Sequence, residues 1–127
     1  MKFLRNALLA LMLASTFTGC SKDDDNKPAS TSHKVVFKAT ASTGSNISVA
    51  AYAYDSNQTT ATSLTGTTWT SPEITVPAGT VAVTAAVSAT GANASSSLKV
   101  QIFVDGELKK EGTSTGQILS ASATYGF

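Results

Sequence analysis

The side chain with the most distinctive chemistry in this sequence is its single cysteine, Cys20. Lys2 and Arg5 lie near the start of the chain, and an apolar run over residues 7–14 separates them from the cysteine. A basic start, a short apolar run and small residues before a break are the three regions of an export signal, and this run is too short to span a bilayer. Residues 1–19 are therefore predicted to be a signal peptide that is cleaved before Cys20.

The segment Thr18-Gly19-Cys20 resembles the lipobox of bacterial lipoproteins, in which the cysteine becomes the lipidated first residue. Phe17 departs from that pattern, which usually has leucine at this position. A single thiol in an exported chain forms no internal disulfide, so acylation explains Cys20 better than redox chemistry does. Several acyl chains on one residue give stable anchoring. The alternatives are a secretory signal with a coincidental cysteine and a signal anchor that stays attached.

Residues 20–33 are predicted to form a flexible tether, because they include charged residues and a proline but almost nothing apolar to bury. An acidic run behind an acylated cysteine resembles the surface-export signal of Bacteroidota lipoproteins, and the resemblance implies display on the outer face of the outer membrane. The residues that carry it are Ser21, Lys22, Asp23, Asp24 and Asp25. Two alternatives stay open, in which the run is only a solvated linker or the protein faces the periplasm.

Catalytic and metal-binding patterns are scarce. His33 is the only histidine and falls in the predicted tether, so neither a Ser-His-Asp relay nor a histidine-based zinc site is expected. The clustered aspartates of the tether would lose too much entropy on ordering to hold calcium well. The other carboxylates considered for glycoside cleavage fit a turn or a solvated edge, and they are Glu73, Asp105, Glu107 and Glu111. We therefore expect a non-enzymatic protein without a metal or cofactor.

The balance of charge argues against two classes of partner. Charged residues are 13% of the chain and hydrophobic residues 42%, and the charged share is about half the usual one. Without Lys2 and Arg5 the chain keeps 9 − 2 = 7 basic and 8 acidic side chains, a net charge of −1. Nucleic acids and anionic lipid headgroups are bound by clustered basic residues. We therefore expect no nucleic-acid partner, and membrane attachment only through the N-terminal lipid.

The folded part is predicted to cover residues 34–127, where apolar and polar residues alternate with a period of two. No segment there has a convincing helical period. The composition, rich in Thr, Val and Ala, also favours strands. The predicted strands lie at 35–41, 47–54, 74–76, 81–87, 98–104 and 117–127, with a further short hairpin strand at 107–108. This pattern predicts an all-β protein, a small immunoglobulin-like antiparallel β-sandwich of about seven strands.

Turn residues divide these strands at intervals of about ten residues. The predicted turns lie at 43–46, 55–57, 91–93 and 112–116. The strongest local prediction is Asp105-Gly106, because a two-residue type I′ hairpin needs positive φ angles, which Asp-Gly favours.

Three aromatic residues could form a binding platform. Within 47–54, the alternation places Ile47, Val49, Ala51 and Ala53 on one face of the strand and Tyr52 and Tyr54 on the other. Trp69 could lie near the two tyrosines and complete a surface for a carbohydrate or peptide. The alternative is that these rings pack on the second sheet and cover a thin core.

The segment 100–109, with its Val-Asp-Gly hairpin, followed by Gly112 to Gly116 and a terminal strand, is similar to the C-terminal half of the mycobacterial membrane protein small (MmpS) domain. The order of the earlier strands and Trp69 also fits, so the resemblance covers about 34–127. Members of that family are accessory partners of lipid- and siderophore-exporting transporters. The expected function is a lipid-anchored envelope protein that binds or assembles with others, and the alternative is a periplasmic accessory subunit of an RND- or MmpL-like transporter.

Overall fold

The computed structural model describes residues 30–127, so the predicted signal peptide and most of the predicted tether lie outside the described residues. The described part of the chain forms strands and turns, with no helix that could span a membrane. The strands are β1 (His33–Ala41), β2 (Asn46–Tyr54), β3 (Asn57–Ala61), β4 (Thr68–Thr70), β5 (Ile74–Val76), β6 (Ala82–Thr90), β7 (Ser97–Val104), β8 (Glu107–Thr115) and β9 (Ile118–Gly126).

The strands form two antiparallel sheets that pack together as a β-sandwich, which confirms the predicted fold class. Sheet A has the order β4-β1-β7-β8, with β5 also pairing with β1, and sheet B has the order β3-β2-β6-β9. The described residues contain nine strands rather than about seven. The difference comes from short segments such as β3 and β4, which pair as edge strands although they show little apolar alternation.

The core lies between the inward faces of the two sheets. In β1 and β7 the predicted alternation is confirmed, since every second residue from Val35 to Ala41 and from Leu98 to Val104 is buried. Sheet B contributes smaller side chains to the core, mainly alanine and valine from β6 and β9. Burying one large apolar side chain stabilises a fold by roughly 1.5–3 kcal/mol. The large, fully buried contributors are Phe37, Ile47, Leu98, Ile102 and Leu119.

The predicted facing of β2 is wrong for Ile47, which lies on the other face from Val49, Ala51 and Ala53, because this strand contains a β-bulge between Ile47 and Val49. The extra residue shifts the alternation by one position. Ile47 therefore faces the core together with Ala50 and Tyr52. Val49 instead lies on the outer face, where it is opposite an exposed residue of β6.

The predicted turn at 112–116 is also misplaced, because β8 continues through Gly112 and reaches Thr115. A side chain at Gly112 would overlap the backbone carbonyl of Ser122 in β9. The glycine is thus a point of close approach between the two sheets, and not a break in the strand. The turn itself comes at Gly116, whose φ is +128°.

The predicted Asp105-Gly106 hairpin joins β7 to β8, and the structure confirms it. The φ angles of Asp105 and Gly106 are +52° and +84°, as a type I′ turn requires. A second two-residue turn, with Asp55 at a φ of +50°, joins β2 to β3. There the Asp55 carboxylate accepts hydrogen bonds from the backbone N–H groups of Val81 and Ala82, at 3.0 and 3.1 Å.

Candidate binding surface

Charged side chains are divided unequally between the two sheets. The strands of sheet B contain no lysine, arginine, aspartate or glutamate. Asp55 lies in the turn between two of them. The other charged residues from 30 to 127 belong to the strands of sheet A or to the segments that join them, and they are Lys34, Lys38, Glu73, Lys99, Asp105, Glu107, Lys109, Lys110 and Glu111.

The outer surface of sheet B is consequently uncharged, and we call it the neutral face. Most of its side chains are small or hydroxylated, because most larger apolar residues of the same strands point into the core, whereas Ile118 at the start of β9 is 90% exposed. Thr84 and Thr124 pair across β6 and β9 with their hydroxyls 3.0 Å apart. The neutral face consists of Val49, Ala51, Ala53, Gln58, Thr60, Thr84, Ala86, Ser88, Thr90, Ile118, Ser120, Ser122 and Thr124.

The shape of the neutral face suits contact with another flat surface. A shallow depression of about 110 Å³ lies at its centre, lined mainly by Ala51, Ala53, Gln58, Thr84 and Ala86. Short side chains let another backbone or ring approach closely, and they lose little rotamer entropy when they are covered. Hydroxyl groups at the margin supply both donors and acceptors. The face offers van der Waals contact and neutral hydrogen bonds, without ion pairing.

The outer surface of sheet A has the opposite character. The ammonium group of Lys38 lies 4.9 Å from the centroid of the Phe103 ring, within the range of a cation–π contact. Lys34 and Glu73 approach to 3.8 Å, and both side chains are more than half exposed. Exposed ion pairs of this kind contribute about 0–1 kcal/mol each. These charges therefore contribute little to the stability of sheet A, and their main effect is to keep its outer surface hydrated.

Two of the three aromatic residues of the predicted platform, Tyr52 and Trp69, are in ring contact, and Tyr52 is buried in the core. Tyr52 is 8% exposed, and its ring centroid lies 5.3 Å from that of Phe37 and 5.5 Å from that of Trp69. Tyr54 and Trp69 are half-buried against the core. Tyr52 therefore packs against the second sheet, which was the alternative to a binding platform. A ligand role for the exposed parts of Tyr54 and Trp69 stays a prediction.

His33 is not part of the tether, since it is the first residue of β1 and pairs with Val76. Its Nδ1 lies 2.6 Å from Oδ2 of Asp105, and its ring stacks on Phe127 with the centroids 5.0 Å apart. The backbone N–H of Lys34 donates to Oδ1 of Asp105 at 2.9 Å. The hydrogen bonds from His33 and from Lys34 lower the pKa of Asp105. Asp105 thus fixes the start of β1 to the hairpin.

The described residues offer no constellation for metal chemistry. Between residues 30 and 127 no three of the histidine, aspartate and glutamate side chains come close enough to hold a metal ion. The predicted lipidation and export residues, Cys20 and the segment 21–25, lie outside the described residues.

Sequence comparison adds no relative, because no family model and no curated protein matches this chain. The similarity to the MmpS family therefore stays a prediction made from the residues.

Proposed function

We propose that this chain is a non-enzymatic, lipid-anchored protein of the cell envelope that acts by binding, or by assembly with other envelope proteins. The observation that carries the binding role is the separation of charge between the two sheets. A solvated surface that has no contact to make usually mixes charges of both signs. The neutral face lacks them across all four strands of sheet B, which supports its use as a contact surface.

The N-terminal residues support the place in the cell. The signal-like segment 1–19 and Cys20 fit export and lipid anchoring, and the acidic segment 21–25 fits display at the surface of the outer membrane. A periplasm-facing orientation is the alternative. On either side of the membrane, a tether of about a dozen residues would give the sandwich freedom to orient its neutral face.

Protease treatment of intact cells tests the orientation. The wild-type chain is compared with a variant in which Asp23, Asp24 and Asp25 are all changed to alanine. A matched control changes Glu107 and Glu111, which lie on the sandwich, to alanine. We expect the wild type and the control to be degraded and the aspartate variant to be protected. Protection of the wild type on intact cells, with degradation after the outer membrane is opened, would reject surface display.

Acylation is tested with the variant Cys20→Ser. Cells fed radiolabelled palmitate should label the wild-type chain and leave the variant unlabelled, because Cys20 is the only cysteine. The variant should also leave the membrane fraction or keep its signal segment. Equal labelling of both chains would show that the acyl chain is attached to a residue other than Cys20.

The role of the neutral face is tested by introducing a charge at its centre. Ala86→Lys places an ammonium group on the exposed side of β6, and Gln101→Lys places one on the outer side of sheet A as a control. Proteins crosslinked to the chain in living cells should be lost from the first variant and kept by the second. Loss from the control alone would assign the contact to sheet A.

The second candidate, a periplasmic accessory subunit of an RND- or MmpL-like transporter, is favoured by the hairpin at Asp105-Gly106 and the strand that ends the described chain. Both were part of the resemblance to the MmpS family. This candidate requires the sandwich to face the periplasm and to copurify with a transporter. A chain that is degraded on intact cells and isolated without a transporter would reject it.

A further inference from the structure

The sandwich has four sheet edges within residues 30–127, and three of them are protected against pairing with another chain. An unprotected edge strand presents unpaired backbone N–H and C=O groups and acts as a template for a further strand. Proteins protect edges by making the strand short, by placing proline or charges on it, or by covering it. The four edges of this sandwich are the β4/β5 side and β8 in sheet A, and β3 and β9 in sheet B.

The β4/β5 edge is short and interrupted. Each of these strands has three residues, and Pro72 lies between them. Ser71 fills the gap, since its hydroxyl accepts a hydrogen bond from the backbone N–H of Phe37 at 2.9 Å and its own N–H donates to the Phe37 carbonyl at 2.8 Å. A second chain would find few consecutive backbone groups to bond along this edge.

The edges of β8 and β9 protect each other. Gly112 brings the backbone of β8 against Ser122 in β9, and the backbone N–H of Ser120 donates to the Ser114 hydroxyl at 3.2 Å. The first half of β8 also carries the charged residues of the segment 107–111. This side of the sandwich is closed.

The edge of β3 has none of these protections. β3 pairs with β2 on one side, and no strand of the described residues pairs with its other side. Its sequence, Asn-Gln-Thr-Thr-Ala, contains no charge and no proline, and four of its five residues are exposed. Because Tyr54 and Asn57 flank a two-residue turn, they form a hydrogen-bonded pair, so the backbone groups of Gln58 and Thr60 point away from β2.

We propose that β3 pairs antiparallel with β3 of a second copy of this chain, which joins two sheets B into one continuous sheet. A two-fold axis at Thr59 places Gln58 opposite Thr60 of the partner subunit, so that both outward-pointing residues of each strand find backbone partners. Thr59 then faces the partner's Thr59, and threonine pairs are favourable across antiparallel strands. The strand is thus complementary to itself.

Charge also favours a second copy as the occupant. The charge nearest to β3 in the sequence is Asp55. In the proposed register Asp55 lies at one end of the strand pair and the partner's Asp55 at the other, separated by about eight residues, or ~26 Å at the usual rise of a strand. That distance exceeds the ~8 Å screening length at physiological salt. Identical edges therefore meet without repulsion, and the contact is of the same kind on both copies.

The test is disulfide crosslinking of the full chain with the variant Thr59→Cys. The proposed register places the two cysteines directly opposite in a non-hydrogen-bonded pair, where Cβ atoms are close enough for a disulfide. Thr124→Cys, an exposed threonine on the β9 side of the same sheet, is the matched control. The wild type, whose only cysteine is Cys20, sets the background.

Under mild oxidation we expect a reducible adduct of twice the chain's mass from T59C, and only background from T124C. Adding Thr60→Pro to T59C should abolish the adduct. The Thr60 N–H points outward, so proline there removes a bond between copies and none within the chain. Thr60→Lys is a second blocking variant that keeps the backbone donor and adds charge, and it should reduce the adduct strongly. Circular dichroism verifies that both variants fold.

Three results would overturn the proposal. The first is crosslinking of T59C no greater than that of T124C. The second is an adduct that persists in folded variants carrying Thr60→Pro and Thr60→Lys. The third is an adduct whose mass shows a different protein, which would assign the edge of β3 to strand addition by another partner.

Discussion

His33 Nδ1 lies 2.6 Å from Oδ2 of Asp105, although the two residues are 72 positions apart in the sequence. The same carboxylate accepts the backbone N–H of Lys34 through its other oxygen, while the Asp105 N–H donates to the Lys34 carbonyl at 2.7 Å. One turn residue therefore ties the beginning of β1 to the β7–β8 hairpin. The Phe127 ring, stacked on His33, brings the end of the described chain to the same place.

The contribution of Asp105 to stability should depend on pH. Its pKa in the folded chain lies below the ordinary value of 3.8, chiefly because of the hydrogen bond with His33. A lowered folded-state pKa stabilises the fold above the unfolded-state pKa, and this stabilisation is lost as the pH falls through the folded value. The melting temperature of Asp105→Asn should therefore be below that of the wild type at pH 6, and the difference should shrink below pH 4.

Asparagine keeps the size of the side chain and tolerates the positive φ at this position, so the comparison isolates the ionised carboxylate. Glu73→Gln is the control, because Glu73 takes part only in an exposed ion pair with Lys34. Its melting temperature should stay near that of the wild type at every pH. A constant difference for Asp105→Asn between pH 6 and pH 3 would contradict the prediction.

Gly112→Ala should destabilise the sandwich strongly. The added methyl group would overlap the Ser122 carbonyl, so the β8 and β9 backbones must move apart. Overpacking in a tight interior costs about 1–3 kcal/mol and occasionally more, and the upper part of this range is expected because backbone atoms must shift. Chemical denaturation measures the free energy of unfolding. Gly126→Ala is the control, since its new Cβ would lie 3.9 Å from the nearest atom, in ordinary contact. A similar loss from both variants would contradict the prediction, because of these two glycines only Gly112 has backbone atoms within overlap distance of the added methyl group.

Phe37 and Phe103 provide a matched pair on the two sides of sheet A. Phe37 is 0% exposed, whereas Phe103 lies on the outer face beneath Lys38. Phe37→Ala should cost about 3–5 kcal/mol of unfolding free energy, the usual range for a core phenylalanine. Phe103→Ala should cost roughly 1 kcal/mol, from a partly exposed ring and one cation–π contact. Equal costs would mean that the outer face of sheet A is covered in the folded protein.

Alanine variants of Tyr52 and Tyr54 should differ in stability and in the fluorescence of Trp69. Tyr52→Ala opens a cavity beside Phe37 and Trp69, and we expect a loss of about 3–5 kcal/mol in stability together with a red shift of the Trp69 fluorescence. Tyr54→Ala, at a half-buried position, should leave the Trp69 emission nearly unchanged. The opposite ranking of the two fluorescence shifts would place Tyr54, and not Tyr52, against the tryptophan.

Features that depend on a few neighbouring residues could be predicted from the sequence. The strand from Leu98 to Val104 alternates cleanly, and Asp105-Gly106 satisfies the dihedral demands of a type I′ turn by itself. The two-layer architecture also followed, because several alternating strands without helices have few other ways to bury one face each.

Features that depend on distant residues could not be predicted from the sequence. The bulge after Ile47 is defined only by the register with β6, and Gly112 looks like a turn until β9 is seen behind it. The residues around His33 in the sequence do not indicate its structural role, because its hydrogen-bond partner Asp105 is 72 positions away. The neutral face was missed for a related reason, since the absence of charge becomes a surface property only once β2, β3, β6 and β9 are known to be neighbours.

The long pairing of β1 with β7 sets the order in which the domain can fold. A chain delivered from its N-terminus, by a ribosome or through an export channel, exposes β1 well before β7, the strand with which β1 forms its longest pairing. Contacts between distant segments also form slowly, because the loop between them must first close. β9, which completes sheet B and leads to Phe127, is delivered later still. The topology therefore delays completion of both sheets until the C-terminal strands of the sandwich have been delivered.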